Sequence, residues 1–263
     1  RLWEREIEPS PMRLGYPAAA LPGSVLPVAA GDLLFVFDKG KVRALDAATG
    51  QEVRSYPDAG SPLEILHLAG SVISMDPWSV KAIDVESGKL LWNYTASEPR
   101  SIVAGDGAVF FLEGDLRRGE PASLVRLEAR TGKVEWKQTE SPWLRKVKRL
   151  SYRRSLLVCE GSTYSNDKPG NEIRALDAKE GREIWQRAYE PGMSHYMQAR
   201  AIHSDGLIWV QNGAKLDGIE GQPQRLAGAE QMRLPDDVGQ RVRAQAFGQR
   251  RVGIVARGLG GVG

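Results

Sequence analysis

An acid, a glycine four residues on and a tryptophan four beyond that form a phrase that returns through the chain. Its clearest copy runs Ala82-Ile83-Asp84-Val85-Glu86-Ser87-Gly88-Lys89-Leu90-Leu91-Trp92. The same frame stands at Asp46/Gly50, Glu128/Gly132/Trp136 and Asp177/Gly181/Trp185, and a degenerate fifth copy can be read at Asp217/Gly221. Gly50, Gly88, Gly132, Gly181 and Gly221 leave intervals of 38, 44, 49 and 40 residues. Repetition at that period means one supersecondary unit used several times, each unable to bury its apolar surface alone. Leu2-Trp3 repeats the dipeptide Leu91-Trp92 and reads as the end of a further unit whose acid and glycine lie before residue 1.

Each unit has the same internal grammar. A short apolar run comes first, at residues 33–37, 71–75, 108–112, 156–159 and 207–210. These runs are too short for helices and are bounded by turn residues, so they read as buried inner strands. A second strand carries the acid; in Val42/Ala44/Asp46 against Arg43/Leu45 it has the two-residue period of a half-buried strand. A third strand follows the glycine and reaches the tryptophan. Between these two, an Asp oxygen can accept backbone N–H groups while Gly takes positive φ without steric cost. Asp46 with Thr49-Gly50 and Asp84 with Ser87-Gly88 are the well-formed copies, and Glu128 and Glu180 are expected to loosen the turn. No helical periodicity is sustained anywhere, so the expected fold class is all-β. Residues 8–30, rich in Pro, Gly and Ala, read as an extended loop before the first complete unit.

The chain has 263 residues, 41% of them hydrophobic and 26% charged, enough for a sizeable core in one large all-β domain. A net charge of +3 is nearly balanced and gives little pull toward nucleic acid. Cys159 is the only cysteine, which excludes an internal disulfide framework, a cysteine-based zinc cluster and a CxxC redox pair. No apolar run reaches the length of a membrane span. After Gly221 the vocabulary changes. Residues 222–263 hold one aromatic, Phe247, and no Lys, Ser or Thr, which fits a degenerate last blade, a disordered tail or a frame-shifted sequence.

Few residues invite chemistry. His195 and His203 stand eight apart around a strand-like segment, and neither they nor His67 form a recognisable metal pair. Ser162, Ser165 and Ser194 lie near glycines, but none sits in a Gly-x-Ser-x-Gly elbow. The basic run Arg145-Lys146-Val147-Lys148-Arg149, with Arg153-Arg154 behind it, reads as a turn and an outward strand face, without the interleaved aromatics of a nucleic-acid platform. Asn93-Tyr94-Thr95 fits the glycosylation sequon. No catalytic, cofactor-binding or metal-binding residue is assigned. Two long spacers, 113–123 and 160–171, extend equivalent hairpins, and extended hairpins of repeat proteins are where function is often placed.

The phrase Ala-x-Asp-x-x-Thr-Gly-x-x-x-Trp resembles the tryptophan-docking motif of the PQQ-like (pyrroloquinoline-quinone-like) β-propeller repeat, within the quinoprotein alcohol dehydrogenase-like superfamily. Ala44/Asp46/Thr49/Gly50, Ala82/Asp84/Gly88/Trp92 and Ala175/Asp177/Gly181/Trp185 carry the match; Arg126 and Glu128 depart from it in the third copy, and Arg54 and Arg225 replace tryptophan in the first and fifth. The resemblance implies four-stranded blades over residues 1–221, with repeats ending near Tyr56, Tyr94, Gln138, Arg187 and Arg225. Five copies and a clipped one fall short of the family's seven or eight, so the expectation is a fragment of about five to six blades. The resemblance also implies a bacterial, extracytoplasmic or periplasmic setting. Quinoproteins of this fold hold PQQ over calcium and cap it with a vicinal disulfide that a single cysteine cannot form. The expected function is therefore a non-catalytic scaffold, presenting loop faces to a protein or polysaccharide partner and using no cofactor. The alternative is a fragment of a quinoprotein-type oxidoreductase, or the propeller domain of a larger enzyme.

Overall fold

A computed structural model describes residues 2–7, 25–115, 119–139, 141–163, 170–189, 199–204, 207–212 and 215–220. They form five antiparallel sheets, each a meander in chain order. The first blade is β1 (Val28–Ala30), β2 (Leu33–Asp38), β3 (Lys41–Asp46) and β4 (Glu52–Tyr56). The second is β5 (Glu64–Leu68), β6 (Ser71–Asp76), β7 (Ser79–Asp84) and β8 (Leu90–Thr95). The third is β9 (Arg100–Gly105), β10 (Ala108–Glu113), β11 (Ser123–Glu128) and β12 (Val134–Gln138). The fourth is β13 (Val147–Arg153), β14 (Leu156–Thr163), β15 (Gly170–Asp177) and β16 (Glu183–Tyr189), and the fifth shows β17 (Arg200–Ser204), β18 (Leu207–Asn212) and β19 (Lys215–Glu220). Helical structure among the described residues is confined to the 3₁₀ turns Pro57–Ala59 and Pro142–Lys146. Residues 8–24 and 221–263 lie outside the described residues.

The apolar runs are the second strand of each blade. A less patterned strand precedes each of them; β1, β5, β9 and β13 lie against one another in succession, and β17 lies against β14. The loop expected up to residue 30 therefore ends earlier, at β1. The third strands also differ from the half-buried reading. Ala44 and Leu45 face opposite ways, yet both are buried: Ala44 packs toward the second blade, and the segment carrying Trp3 and Arg5 also lies against the first blade. The core is accordingly four clusters lying between sheets. Phe35, Val42 and Tyr56 of the first blade pack with Ile65 and Ile83 of the second. Ile73 and Trp92 of the second pack with Phe111 and Leu127 of the third. Phe110 and Leu124 meet Leu150 and Leu157 at the next junction, and Val158 and Ile173 meet Ala201 and Ile208 at the last.

The turn after the third strand of each of the first four blades is built by the repeat acid. Asp46 Oδ1 accepts the N–H groups of Ala48 and Thr49 at 3.1 and 2.7 Å and the Thr49 hydroxyl at 2.8 Å. Asp84 does the same with Ser87. Glu128, expected to loosen the turn, keeps it: its longer side chain spreads the load over two oxygens, taking Arg130 N, Thr131 N and the Thr131 hydroxyl. Asp177 retains the two backbone donors, Lys179 and Glu180, without a hydroxyl, since Glu180 stands in the Thr position. The Thr49 hydroxyl and N–H hold the Asp46 carboxyl below its usual range.

The following glycine is a landing site. Gly132 has φ +70°, and the Trp92 ring lies 2.7 Å from where a Cβ would be, while Trp92 Nε1 donates to Ala129 O at 2.8 Å. Trp3 lies over Gly50 in the same way and donates to Ala47 O at 2.9 Å. The first blade lacks the indole but not the contact. Arg54 Cδ approaches the Gly88 position at 3.7 Å, and Tyr56, two residues on, donates its hydroxyl to Val85 O at 3.0 Å. Val85 occupies the place of Ala47 and Ala129, one residue after the repeat acid.

In the fifth blade Leu207 pairs with Glu220, as Leu33 pairs with Asp46 and Ser71 with Asp84. The register thus puts the fifth acid at Glu220. Asp217, read as that acid from sequence, occupies the place of Arg43, Lys81 and Arg174, and it faces Arg187 and Tyr189 of the fourth blade.

Gly132→Ala is expected to destabilise the fold by about 1–2 kcal/mol for an alanine at positive φ, plus about 1–3 kcal/mol for the collision with Trp92. Gly70→Ala, at φ +77° with nothing within 4 Å, is expected to lose only the first amount. Urea unfolding of the two variants checks the difference.

Candidate functional site

In a four-stranded meander the hairpin joining strands two and three opens at the same end as the connection to the next blade. The two long spacers are hairpins of this kind, β10–β11 and β14–β15, and so are equivalent as expected. Residues 116–118 and 164–169, with Ser165, lie outside the described residues.

The third-blade hairpin is tied down. Gly114 N donates to Ser97 O at 2.6 Å, and Glu120 Oε2 accepts the Ser97 hydroxyl at 2.6 Å and Asp115 N at 2.9 Å. Arg100 Nη1 reaches Gly114 O at 3.3 Å. In the second blade the equivalent hairpin is only Pro77-Trp78 long. Asp76 accepts Trp78 N at 2.8 Å, the Ser79 hydroxyl at 2.9 Å and Lys81 Nζ at 3.0 Å, and Trp78 O accepts Ala96 N at 2.9 Å. Those bonds fix the backbone on both sides of Trp78, yet its side chain remains 62% exposed. A large aromatic held rigidly in solvent is the residue type that anchors interfaces.

Asp38, Asp76 and Glu113 end the second strands at one register position in three successive blades. Each is charge-paired: Asp38 with Arg5 and Arg43, Asp76 with Lys81, Glu113 with Lys137. Tyr94 also donates to Glu113 at 3.1 Å, and burial together with that carboxylate pushes the Tyr94 hydroxyl up to about 12. Arg5 follows Trp3, and Tyr94 follows Trp92, by two residues. Both reach the acid of the next blade, so the buried Asp38 and Glu113 belong to the joints between blades, whereas Asp76 bonds only within its own hairpin among the described residues.

The histidines are also joints. His67 and His203 occupy one repeat position, next to last in the first strand, where Tyr152 stands in the fourth blade. His67 stacks on Phe35 with centroids 5.7 Å apart, and His203 Nε2 lies 3.0 Å from the Ser151 hydroxyl. Burial lowers the affinity of both rings for a proton. His195 and Ser194 lie outside the described residues.

The basic run divides as expected. Arg145 and Lys146 sit in the 3₁₀ turn, Val147 is buried, and Lys148 and Arg149 face out. Arg149 lies 3.9 Å from Glu160, a carboxylate only 4% exposed that accepts Ala201 N at 3.1 Å and so links the fourth blade to the fifth. Burial raises the Glu160 carboxyl against the pull of Ala201 N–H, Arg149 and Arg200. Cys159 is buried and its thiol is pushed far up by desolvation, so it is inert. Ser162 is buried in β14, with no base against it among the described residues. Asn93 is exposed on β8.

Antiparallel blades of up to four described strands, with the indoles of Trp3, Trp92 and Trp136 docked on glycine turns of the following blade, define a β-propeller of the tryptophan-docked kind. A family profile described as outer membrane protein assembly factor BamB matches residues 78–236, more than half of the chain, and the chain belongs to that PQQ-like family. It is 28% identical over 202 residues to the dehydrogenase subunit of the quinone alcohol dehydrogenase of Gluconobacter oxydans, covering 65% of this chain and 24% of that protein. It is 29% identical over 150 residues to the quinone 1-butanol dehydrogenase of Thauera butanivorans, covering 51% of this chain and 24% of that one. The chain thus spans about a quarter of these relatives' length. In fold it is similar to the quinohemoprotein alcohol dehydrogenase ADHIIG of Pseudomonas putida HK5, with a TM-score of 0.52, 17% identity, and coverage of 80% of this chain and 42% of the other. It is also similar to Kuenenia stuttgartiensis hydrazine synthase, with a TM-score of 0.55, 12% identity, and coverage of 70% and 54%.

The superfamily implies PQQ and calcium. Among the described residues no group of three or more His, Cys, Asp and Glu side chains converges to hold a metal ion, and the lone buried Cys159 cannot supply a disulfide cap. The described residues do not fit these groups, and no chemical step is derived through them.

The histidine pair makes stability pH-dependent. The folded protein resists protonating both rings, whereas the unfolded chain takes up protons near the ordinary value of 6.5. Stability contributed above that value is therefore lost as pH falls through it, until the folded rings protonate in turn. His67→Tyr with His203→Tyr, which copies Tyr152, is expected to shrink the fall in melting temperature between about pH 7.5 and about pH 5; differential scanning calorimetry reads it.

Proposed function

We propose that this chain is a non-catalytic propeller scaffold that presents its hairpin face to a protein or polysaccharide partner in an extracytoplasmic or periplasmic compartment, without a redox cofactor. The observation that carries the reading is the braced hairpin face. Trp78 stands exposed on a backbone fixed by Asp76 and Ala96, beside a long hairpin pinned through Glu120 and Gly114. Such preorganisation lowers the ordering cost of association, and no other described part of the molecule offers a rigid exposed aromatic. The family description, an outer membrane protein assembly factor, supports both the scaffold role and the compartment. No described helix is long and apolar enough to cross a membrane.

The competing reading, a segment of a quinone-dependent dehydrogenase, is favoured by the names of the two relatives. It requires ligands and a cap that the described residues do not assemble.

A photo-crosslinking amino acid in place of Trp78 in the full-length protein is expected to trap one defined partner in cells, and the same probe at exposed Asn93 to trap none. Reduction of a dye with alcohols by the full-length protein loaded with PQQ and calcium would instead establish the dehydrogenase reading. Trp78→Ala is expected to weaken the captured complex by roughly tenfold or more, as loss of an aromatic anchor does, with the melting temperature unchanged.

A further inference from the structure

One repeat position on the first strands is basic in three blades running. Register with the second strands sets Glu64, Arg100, Arg149 and Arg200 at the same level of the second to fifth blades, opposite Met75, Leu112, Glu160 and Gln211. That level lies in the half of each sheet nearer the hairpin face. Two lysines join the arginines. Lys146 ends the 3₁₀ turn before β13, and the pairing of β13 with β14 shifts between Val147 and Arg149. The bulge leaves Lys148 and Arg149, neighbours in sequence, both in solvent, where regular alternation would turn one of them inward.

These cations have donors to spare. At other positions an arginine facing an acid touches it: Arg43 bonds Glu52, Arg126 bonds Glu135 and Arg174 bonds Glu183. Arg149 and Arg200 instead face one carboxylate, Glu160, from 3.9 and 3.7 Å, and both stay half-exposed. One Glu160 oxygen takes Ala201 N, and the other is buried without a hydrogen bond. Arg100 gives Nη1 to Gly114 O at 3.3 Å, and its Nη2 has no partner. Glu98 and Glu113 act on Arg100 from a distance, and Glu113 is already paired with Lys137. Arg100, Lys146, Lys148, Arg149 and Arg200 thus outweigh Glu98, Glu113 and Glu160.

We infer that this strip is the docking track for an acidic, extended segment of a protein partner, whose Asp and Glu carboxylates pair with Arg149 and Arg200 in the field of Lys146, Lys148 and Arg100. Such a track presupposes that the hairpin face meets a partner, and it supplies that partner's chemistry. The planar guanidinium fork matches a carboxylate. Trp and Arg are the side chains that dominate protein–protein hot spots, and Trp78 and these arginines stand toward the same face. The level is recessed, because β14 runs on past Glu160 to Thr163. A flat anionic surface would meet the hairpins first, whereas a slender segment can enter. Glu64, exposed at the same level of the second blade, repels acid and confines the segment to the third, fourth and fifth blades. Glu160 competes for both guanidiniums, so the track is held below its full affinity.

A fluorescent peptide of alternating Glu and Gly, titrated into the full-length protein and read by anisotropy, is expected to bind saturably at low salt and to lose roughly tenfold or more in affinity as added salt screens the charges. Glu160→Gln keeps an oxygen for Ala201 N and removes the competing charge, so it is expected to tighten binding severalfold. The triple variant Arg149→Gln, Arg200→Gln, Glu160→Gln removes the cations without stranding a buried acid. It is expected to melt with Glu160→Gln and to bind the peptide roughly tenfold or more weakly than the unaltered protein. Arg182→Gln, exposed on a turn at the opposite end of the sheets, is expected to change nothing. No peptide binding, binding that the triple variant keeps, or an equal loss in Arg182→Gln would overturn the inference. So would tighter binding of an oligogalacturonate of equal charge, or of phosphatidylglycerol vesicles, than of the peptide. Undiminished crosslinking from the Trp78 position in the triple variant would sink the acidic track and leave the hairpin-face reading standing.

Discussion

An indole laid flat on a glycine turn, with its N–H on the carbonyl one residue past the turn's acid, is the contact on which the other features of this molecule depend. A blade of four short strands cannot cover its own faces, and the core clusters all lie between sheets. The latch sets the distance and rotation at which neighbouring sheets meet, and the stacking of β2 on β5, or β10 on β13, follows from that setting. Glycine is required at the landing site twice over, by its positive φ and by the ring that fills the place of a side chain.

The latch tolerates substitution so long as its two functions, covering the glycine and satisfying the carbonyl, are still served. At the first junction they are divided between Arg54 and Tyr56. At the third, Arg126 takes part of the carbonyl and the indole moves out. At the fourth, Trp185 Nε1 has no partner among the described residues. Polar residues gather at the same joints. Asp38 and Glu113 at the ends of their strands, the two histidines and Glu160 all lie between blades; burial draws the two imidazoles toward the neutral form and raises the Glu160 carboxyl.

The third strands and their turns were readable because local chemistry defines them: an acid, a hydroxyl and a glycine at fixed spacing can hardly build anything else. The first strands were not. Glu64-Ile65-Leu66-His67-Leu68 and Arg100-Ser101-Ile102-Val103-Ala104 alternate weakly, since each packs against the first strands of two other blades and is sorted by that environment. The fifth acid was misplaced for a related reason. Asp217 and Gly221 carry the right spacing, but strand pairing with β18 decides the register, and pairing selects Glu220. The hairpin face was half legible. The lengths of the two spacers marked it, whereas Trp78, on a two-residue hairpin, left no signal in spacing or composition.

By itself the sequence determined the repeat, its all-β character and its turn chemistry, because each of these is made by residues within one copy of the motif. Tertiary structure alone decided what the copies do to one another. It showed that Tyr56 completes the latch begun by Arg54, that His67 and His203 hold one repeat position in two different joints, and that Arg126 takes a carbonyl that an indole takes elsewhere. Those outcomes rest on contacts between residues some thirty to fifty positions apart, brought together only when one blade packs on the next.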